Sequence, residues 1–111
     1  MKTPTILVED NETIRETLIP TMVELADVEV IDIAETADGA IELLKTQDVV
    51  WKLAIVDLML KKGTGLDVVR SCRSRRPDQH VLVLTNYPTD YIRRHCIVLG
   101  ADAVFGLDPF S

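Results

Sequence analysis

Five short apolar runs punctuate the chain, separated by longer stretches in which apolar residues recur at helical spacing. Thr5–Val8, Glu29–Ala34, Leu53–Val56, His80–Leu84 and Ala103–Phe105 read as strands, being brief and rich in Val, Ile and Leu. Thr13–Ala26, Ala37–Thr46, Leu66–Arg75 and Thr89–Leu99 read as helices, with Asn11 and Thr36 as N-caps and Gly100 as a C-terminal stop. Pro20 falls inside the first helical pattern, where it removes an amide and presses on the preceding turn, so a kink is expected there. Strands that are apolar on both faces and alternate with helices predict an α/β fold: a doubly wound, five-stranded parallel sheet with right-handed crossovers. No repeat, linker or low-complexity segment interrupts it. Ligands of such sheets bind beyond the carboxyl ends of the strands, where strand order reverses. The loops after the first, third and fourth strands are therefore where chemistry is sought.

Composition narrows the field. With 111 residues, 47% hydrophobic and only 5% aromatic, the chain fits one domain, residues 1–111, around an aliphatic core. A net charge of -6 disfavours a surface for nucleic-acid phosphates, so no direct nucleic-acid contact is expected. The local run Arg70, Arg73, Arg75 and Arg76 sits at the predicted end of the third helix, where cations offset the negative end of the dipole. Cys72 and Cys96 form neither a disulfide framework nor a zinc motif, which implies a reducing compartment. Met1–Thr5 carries no leader and no apolar stretch has membrane-spanning length, so a cytoplasmic protein without a membrane partner is expected.

The candidate chemistry is acidic. The first strand runs into Glu9, Asp10 and Asn11, and the third ends in Asp57, Leu58 and Met59. If these strands are neighbours, three carboxylates converge on one crevice, where like charges repel unless a cation lies between them. A dense set of hard oxygen ligands suits Mg²⁺, which commonly bridges carboxylates to phosphate oxygens. Asp57 is the candidate nucleophile, since a carboxylate held at a strand end can attack phosphorus in line. Thr85, ending the fourth strand, places a hydroxyl at the same end, able to donate to a phosphoryl oxygen. Each residue also has a plainer reading: Asp57 as a turn residue, Glu9 and Asp10 as anions at a helix N-terminus, Thr85 as a β-branched strand former. Gly63 and Gly65 permit a tight turn with positive φ but lack the spacing of a phosphate-cradling loop.

The runs Ile6–Asn11, Leu53–Leu60, Gly65–Asp67 and Val83–Thr85 together resemble the receiver domain of two-component response regulators, over nearly the whole chain. The resemblance implies a flavodoxin-like sheet of order 2-1-3-4-5. It implies a phosphoryl group passed to Asp57 from a sensor histidine kinase or phosphotransfer protein. Mg²⁺ would be held by Asp10, Asp57 and the Met59 backbone carbonyl, with Glu9 assisting. Thr85 would contact the phosphoryl group and act as a switch, with Phe105 as a candidate aromatic switch beside it; core packing is the alternative for Phe105, and Val104 for the switch position.

Two departures from the family pattern matter. Where a Lys ends the fifth strand of typical receivers, this chain has Leu107 or Asp108, neither able to offer a cation to a phosphoryl oxygen. Lys61 or Lys62 could substitute, though long side chains there are expected to face solvent. The sequence reaches Ser111 without the last helix of the family, which is expected to uncover apolar sheet surface and favour self-association. Both departures also suit a rival reading, a receiver-like interaction module that is not phosphorylated. An aspartate-nucleophile phosphatase fits less well, because Met59 stands where that chemistry wants a second acid. A flavin site is disfavoured by acids where a phosphate loop would be needed.

Overall fold

The computed structural model describes residues 2–46 and 50–107. Its elements run β1 (Thr3–Val8), α1 (Glu12–Ala26), β2 (Val28–Ala34), α2 (Ala37–Lys45), β3 (Leu53–Asp57), α3 (Gly65–Ser71), β4 (His80–Thr85), α4 (Asp90–Leu99) and β5 (Ala103–Gly106). Every pairing is parallel and the spatial order is β2-β1-β3-β4-β5, the order the resemblance implied. Only the β1-to-β2 connection runs against the direction of the others. Right-handed crossovers therefore put α1 on one face and α2, α3 and α4 on the other.

The two faces are filled unequally. Ile6, Val8, Ala54, Val56, Val81, Val83 and Val104 form a dry layer with Ala40, Leu44, Val68, Val69, Cys96 and Leu99 of the three helices. Alternate strand residues point the other way. There Leu7 and Ile55 are buried, whereas Ile33 is 38% exposed and Phe105 52%. α1 runs through Pro20 and has no fully buried residue. Trp51, just before β3, is enclosed and donates its indole N–H to the Leu44 carbonyl at 3.0 Å, anchoring the end of α2. On the outer rim, pairing of β2 with β1 shifts between Thr5 and Ile6, so that Ile31 is skipped in the register.

The expected caps form at Asn11 and Thr36, and Thr89, read as the first residue of the fourth helix, proves to be its N-cap; each accepts an amide hydrogen bond at the head of its helix. Gly100 ends α4 with φ 123°. The third helix differs, stopping at Ser71 rather than Arg75. Arg75 is the reason. Its guanidinium donates to the carbonyls of Cys72 (3.0 Å), Gln79 (2.9 Å) and Gly100 (2.9 Å) and to Asp102 (2.8 Å). It thus satisfies carbonyls near the ends of two helices at once, a role only a side chain outside the helix can fill. Asp102 in turn accepts the Val81 amide at 2.8 Å, joining the starts of β4 and β5. Its carboxyl is partly desolvated, yet the Val81 amide and Arg75 hold it below its ordinary range. Arg75→Ala is expected to cost about 2 kcal/mol, since several acceptors lose a charged donor together. For a domain of this size that is a drop of roughly 10 °C in melting temperature, readable by thermal denaturation.

Candidate functional site

Because β1 and β3 are adjacent, with Val8 beside Val56, their following acids meet. One carboxylate oxygen from each of Glu9, Asp10 and Asp57 lies within 4.8 Å of the others. Glu9 is 1% exposed and Asp57 7%, while Asp10 is partly open. The backbone fixes them individually. Asp57 Oδ1 accepts the Met59 amide at 3.1 Å, Glu9 Oε2 accepts the Asn11 amide at 3.2 Å, and Asp10 Oδ2 accepts the Lys61 amide. Glu9 Oε1 is buried with no partner.

Among the described residues no Lys or Arg side chain makes an ion pair with any of the three acids. The strain shows in the two buried carboxyls, Glu9 and Asp57. Burial pushes the Glu9 carboxyl from 4.5 up to about 8, helped by the facing Asp57 and only partly offset by the Asn11 amide. Burial raises Asp57 too, against the pull of the Met59 amide and Glu9. Three hard-oxygen donors, two of them desolvated and one with an orphaned lone pair, fit a divalent cation with oxygen preference.

The remaining sequence candidates fall around this cluster. Thr85 is buried at the end of β4, one residue past Leu84, which pairs with Asp57. Its hydroxyl accepts the Tyr87 amide at 3.0 Å. Phe105 pairs with Leu84 and Gly106 with Thr85, so the candidate switch lies one strand over, its ring half-exposed. The Met59 side chain points to solvent, 66% exposed, and its backbone forms a bridge with Thr64. The Leu107 amide donates to the Thr85 carbonyl at 2.9 Å, which ties the end of β5 beside the site. Asp108 lies outside the described residues. Lys61 and Lys62 are exposed, as expected.

Two contributions were not visible in the sequence. Arg15 donates Nη1 to the Glu9 carbonyl at 2.9 Å and lies 3.8 Å from Glu35, bracing the β1–α1 loop. Lys61 acts through its peptide rather than its ammonium. A cation one turn into a helix and a lysine in a loop carry no signal that separates these roles from ordinary solvation.

A family model for the response regulator receiver domain matches residues 5–105. The chain belongs to this family. Receiver domains are characteristically phosphorylated, and bind Mg²⁺, at an acidic pocket; here Glu9, Asp10 and Asp57 make up the acidic cluster. This receiver is 34% identical over 97 residues to a cyclic di-GMP phosphodiesterase of Thermotoga maritima, covering 87% of the receiver and 25% of that protein. It is 30% identical over 95 residues to the DNA-binding transcriptional activator DevR/DosR of Mycobacterium tuberculosis, covering 86% of the receiver and 43% of that protein. The chain thus spans less than half the length of these relatives. In fold it matches a Burkholderia pseudomallei response regulator solved with a phosphorylated aspartic acid, calcium ion and citrate. The TM-score is 0.80 at 24% identity, over 96% of this chain and 60% of the other. No described helix is long and apolar enough to cross a membrane.

Proposed function

We propose that Asp57 accepts a phosphoryl group from a phosphohistidine on a sensor histidine kinase or phosphotransfer protein, and that the receiver thereby switches a protein-binding surface. The observation that carries this reading is the meeting of three carboxylates, one bearing a buried unpartnered oxygen, at the carboxyl ends of β1 and β3. Glu9, Asp10, Asp57 and the Met59 carbonyl would hold Mg²⁺, which when bound offsets negative charge on the carboxylates and on the incoming phosphoryl oxygens.

An Asp57 oxygen attacks phosphorus opposite the donor imidazole; the new O–P bond forms as the P–N bond breaks, and the imidazole leaves with the electron pair and takes up a proton. The Met59 amide fixes the attacking carboxylate at the strand end, so little orientational freedom is lost on reaction. Thr85 is the donor assigned to a phosphoryl oxygen, and its movement is the signal passed to the following loop, α4 and Phe105. The half-exposed Phe105 and Ile33 support a partner or second copy covering that face of the sheet.

One observation favours the rival reading of a non-phosphorylated interaction module: Leu107, tied beside Thr85 at the end of β5, brings no cation to the site. Incubation with Mg²⁺ and acetyl phosphate, followed by intact mass, separates the two. A labile phosphate adduct on the wild type and none on Asp57→Asn is expected; no adduct at saturating donor on folded protein establishes the rival.

A further inference from the structure

Arg93 on α4 reaches back to the loop that follows Thr85. Its Nε donates to the Pro88 carbonyl at 3.1 Å and its Nη1 to the Val104 carbonyl of β5 at 2.6 Å. One planar, permanently charged group therefore spans the gap between the β4–α4 loop and the strand that carries Phe105. The loop is otherwise tied within itself. The Tyr87 amide donates to the Thr85 hydroxyl at 3.0 Å, the Thr89 amide to the Tyr87 carbonyl at 2.8 Å, and the Ile92 amide to the Thr89 hydroxyl at 3.2 Å. In this arrangement the Thr85 hydroxyl is engaged by Tyr87 and makes no hydrogen bond to Asp57, whose Oδ1 is taken by Met59.

We propose that Arg93 is a positioning residue that holds Thr85 in its resting orientation by bracing residues 86–89 against β5. The proposal rests on the phosphoacceptor reading above. The Thr85 hydroxyl keeps its own proton to donate, but its oxygen is tied to the Tyr87 amide, so any movement of that oxygen toward a phosphoryl group on Asp57 must either break this bond or carry the loop with it. The loop cannot follow while Pro88 is pinned through Arg93 to Val104. Both acceptors are main-chain carbonyls, which no side-chain rotation can turn away, so the brace yields only when the guanidinium lets go of one of them. Its two bonds are charge-assisted, the kind whose loss shifts a two-state equilibrium measurably. Arg93 touches none of the reacting atoms. Its influence on the reaction runs through Thr85.

Arg93→Met keeps the aliphatic stem and removes both donors. Two readouts are needed: amide exchange at Tyr87 in unphosphorylated protein, followed by NMR, and the initial rate of adduct formation with acetyl phosphate and Mg²⁺. Arg93→Met is expected to raise both by about fivefold or more, the lower end of ordinary coupling between sites. In a Thr85→Ala background the rate effect of Arg93→Met is expected to vanish, because no hydroxyl remains to be held. A rate effect that persists there overturns the proposal, as does unchanged exchange at Tyr87 with a lowered melting temperature, which marks a merely structural arginine. If the wild type forms no adduct, the phosphoacceptor reading fails and exchange at Tyr87 alone decides the bracing. Should Arg93→Met not fold, Arg93→Lys, which retains a single point donor, is expected to show the same changes at smaller size.

Discussion

Gly65→Ala is expected to destabilise the protein by about 3 kcal/mol or more and to displace Asp57 with it. A methyl group on Gly65 would lie 2.3 Å from the Asp57 carbonyl oxygen, 2.7 Å from the Leu58 Cα and 2.9 Å from the Asp57 carbonyl carbon. All three are backbone atoms, so no rotamer change relieves the clash. The Gly65 amide also donates to the Leu58 carbonyl at 3.0 Å, which prevents α3 from backing away without losing that bond. The chain must therefore shift either the first turn of α3 or the end of β3, and the second choice moves Asp57. Urea denaturation alongside Mg²⁺ titration reads both consequences. Gly39→Ala is the control, since its methyl would meet only the Thr36 Oγ1 at 3.0 Å. Equal stability of the two variants would refute this account of Gly65.

In magnesium-free buffer, stability is expected to fall as pH rises from about 5 to about 8, and Glu9→Gln is expected to remove most of that slope. Burial keeps the proton on Glu9 until about 8, against 4.5 for the free side chain. Between those values the folded chain binds more protons than the unfolded one. The stabilising contribution is therefore complete below the unfolded value and is lost as pH climbs through the folded one. Asp57, also raised by burial, works in the same direction, and the two acids titrate as a pair. After allowance for relaxation and water entry, the loss is about 2 kcal/mol, or roughly 10 °C in melting temperature. Mg²⁺ is expected to reverse the trend, stabilising most at the alkaline end, where the carboxylates are ionised and free to bind it. Melting curves in chelator and in Mg²⁺ across this range measure both effects. A flat profile for the wild type, or an undiminished slope in Glu9→Gln, would show that Glu9 does not hold the buried proton.

Much of this architecture is legible in the pattern of residues alone. Short continuous apolar runs such as Val81–Leu84 read as strands, with Val81 and Val83 fully buried on one face and Leu82 and Leu84 partly covered on the other, and caps such as Asn11 and Thr36 mark where helices start. The convergence of Glu9, Asp10 and Asp57 followed from strand adjacency alone. What stayed hidden were interactions made by groups whose residue type does not announce them. The run from Arg70 to Arg76 looked like the tail of a helix, yet Arg75 lies past its end and gathers carbonyls from both sides, the farthest, Gly100, 25 residues away in sequence. Gly63 does adopt the positive φ, 85°, that its place in a turn suggested, but Gly65 does not; it is small because Asp57 passes within reach of its missing side chain. Periodicity reports which face of an element is buried. It is silent on how closely two backbones approach and on which loop peptide turns toward a carboxylate.

The interruption of β2 at Ile31 has a consequence for how this protein avoids sticking to itself. A parallel sheet ends in rims of unspent amides and carbonyls that invite another strand to join. On this rim the skipped residue breaks the straight ladder, Asp32 turns its carboxylate onto the Ile33 amide at 2.8 Å, and the exposed acids Glu29 and Asp32 share the strand with Ile31 and Ile33. An incoming strand would meet a kinked edge, an amide already satisfied and a row of anions. Strand addition is thereby disfavoured at β2, even though two isoleucines are left showing there.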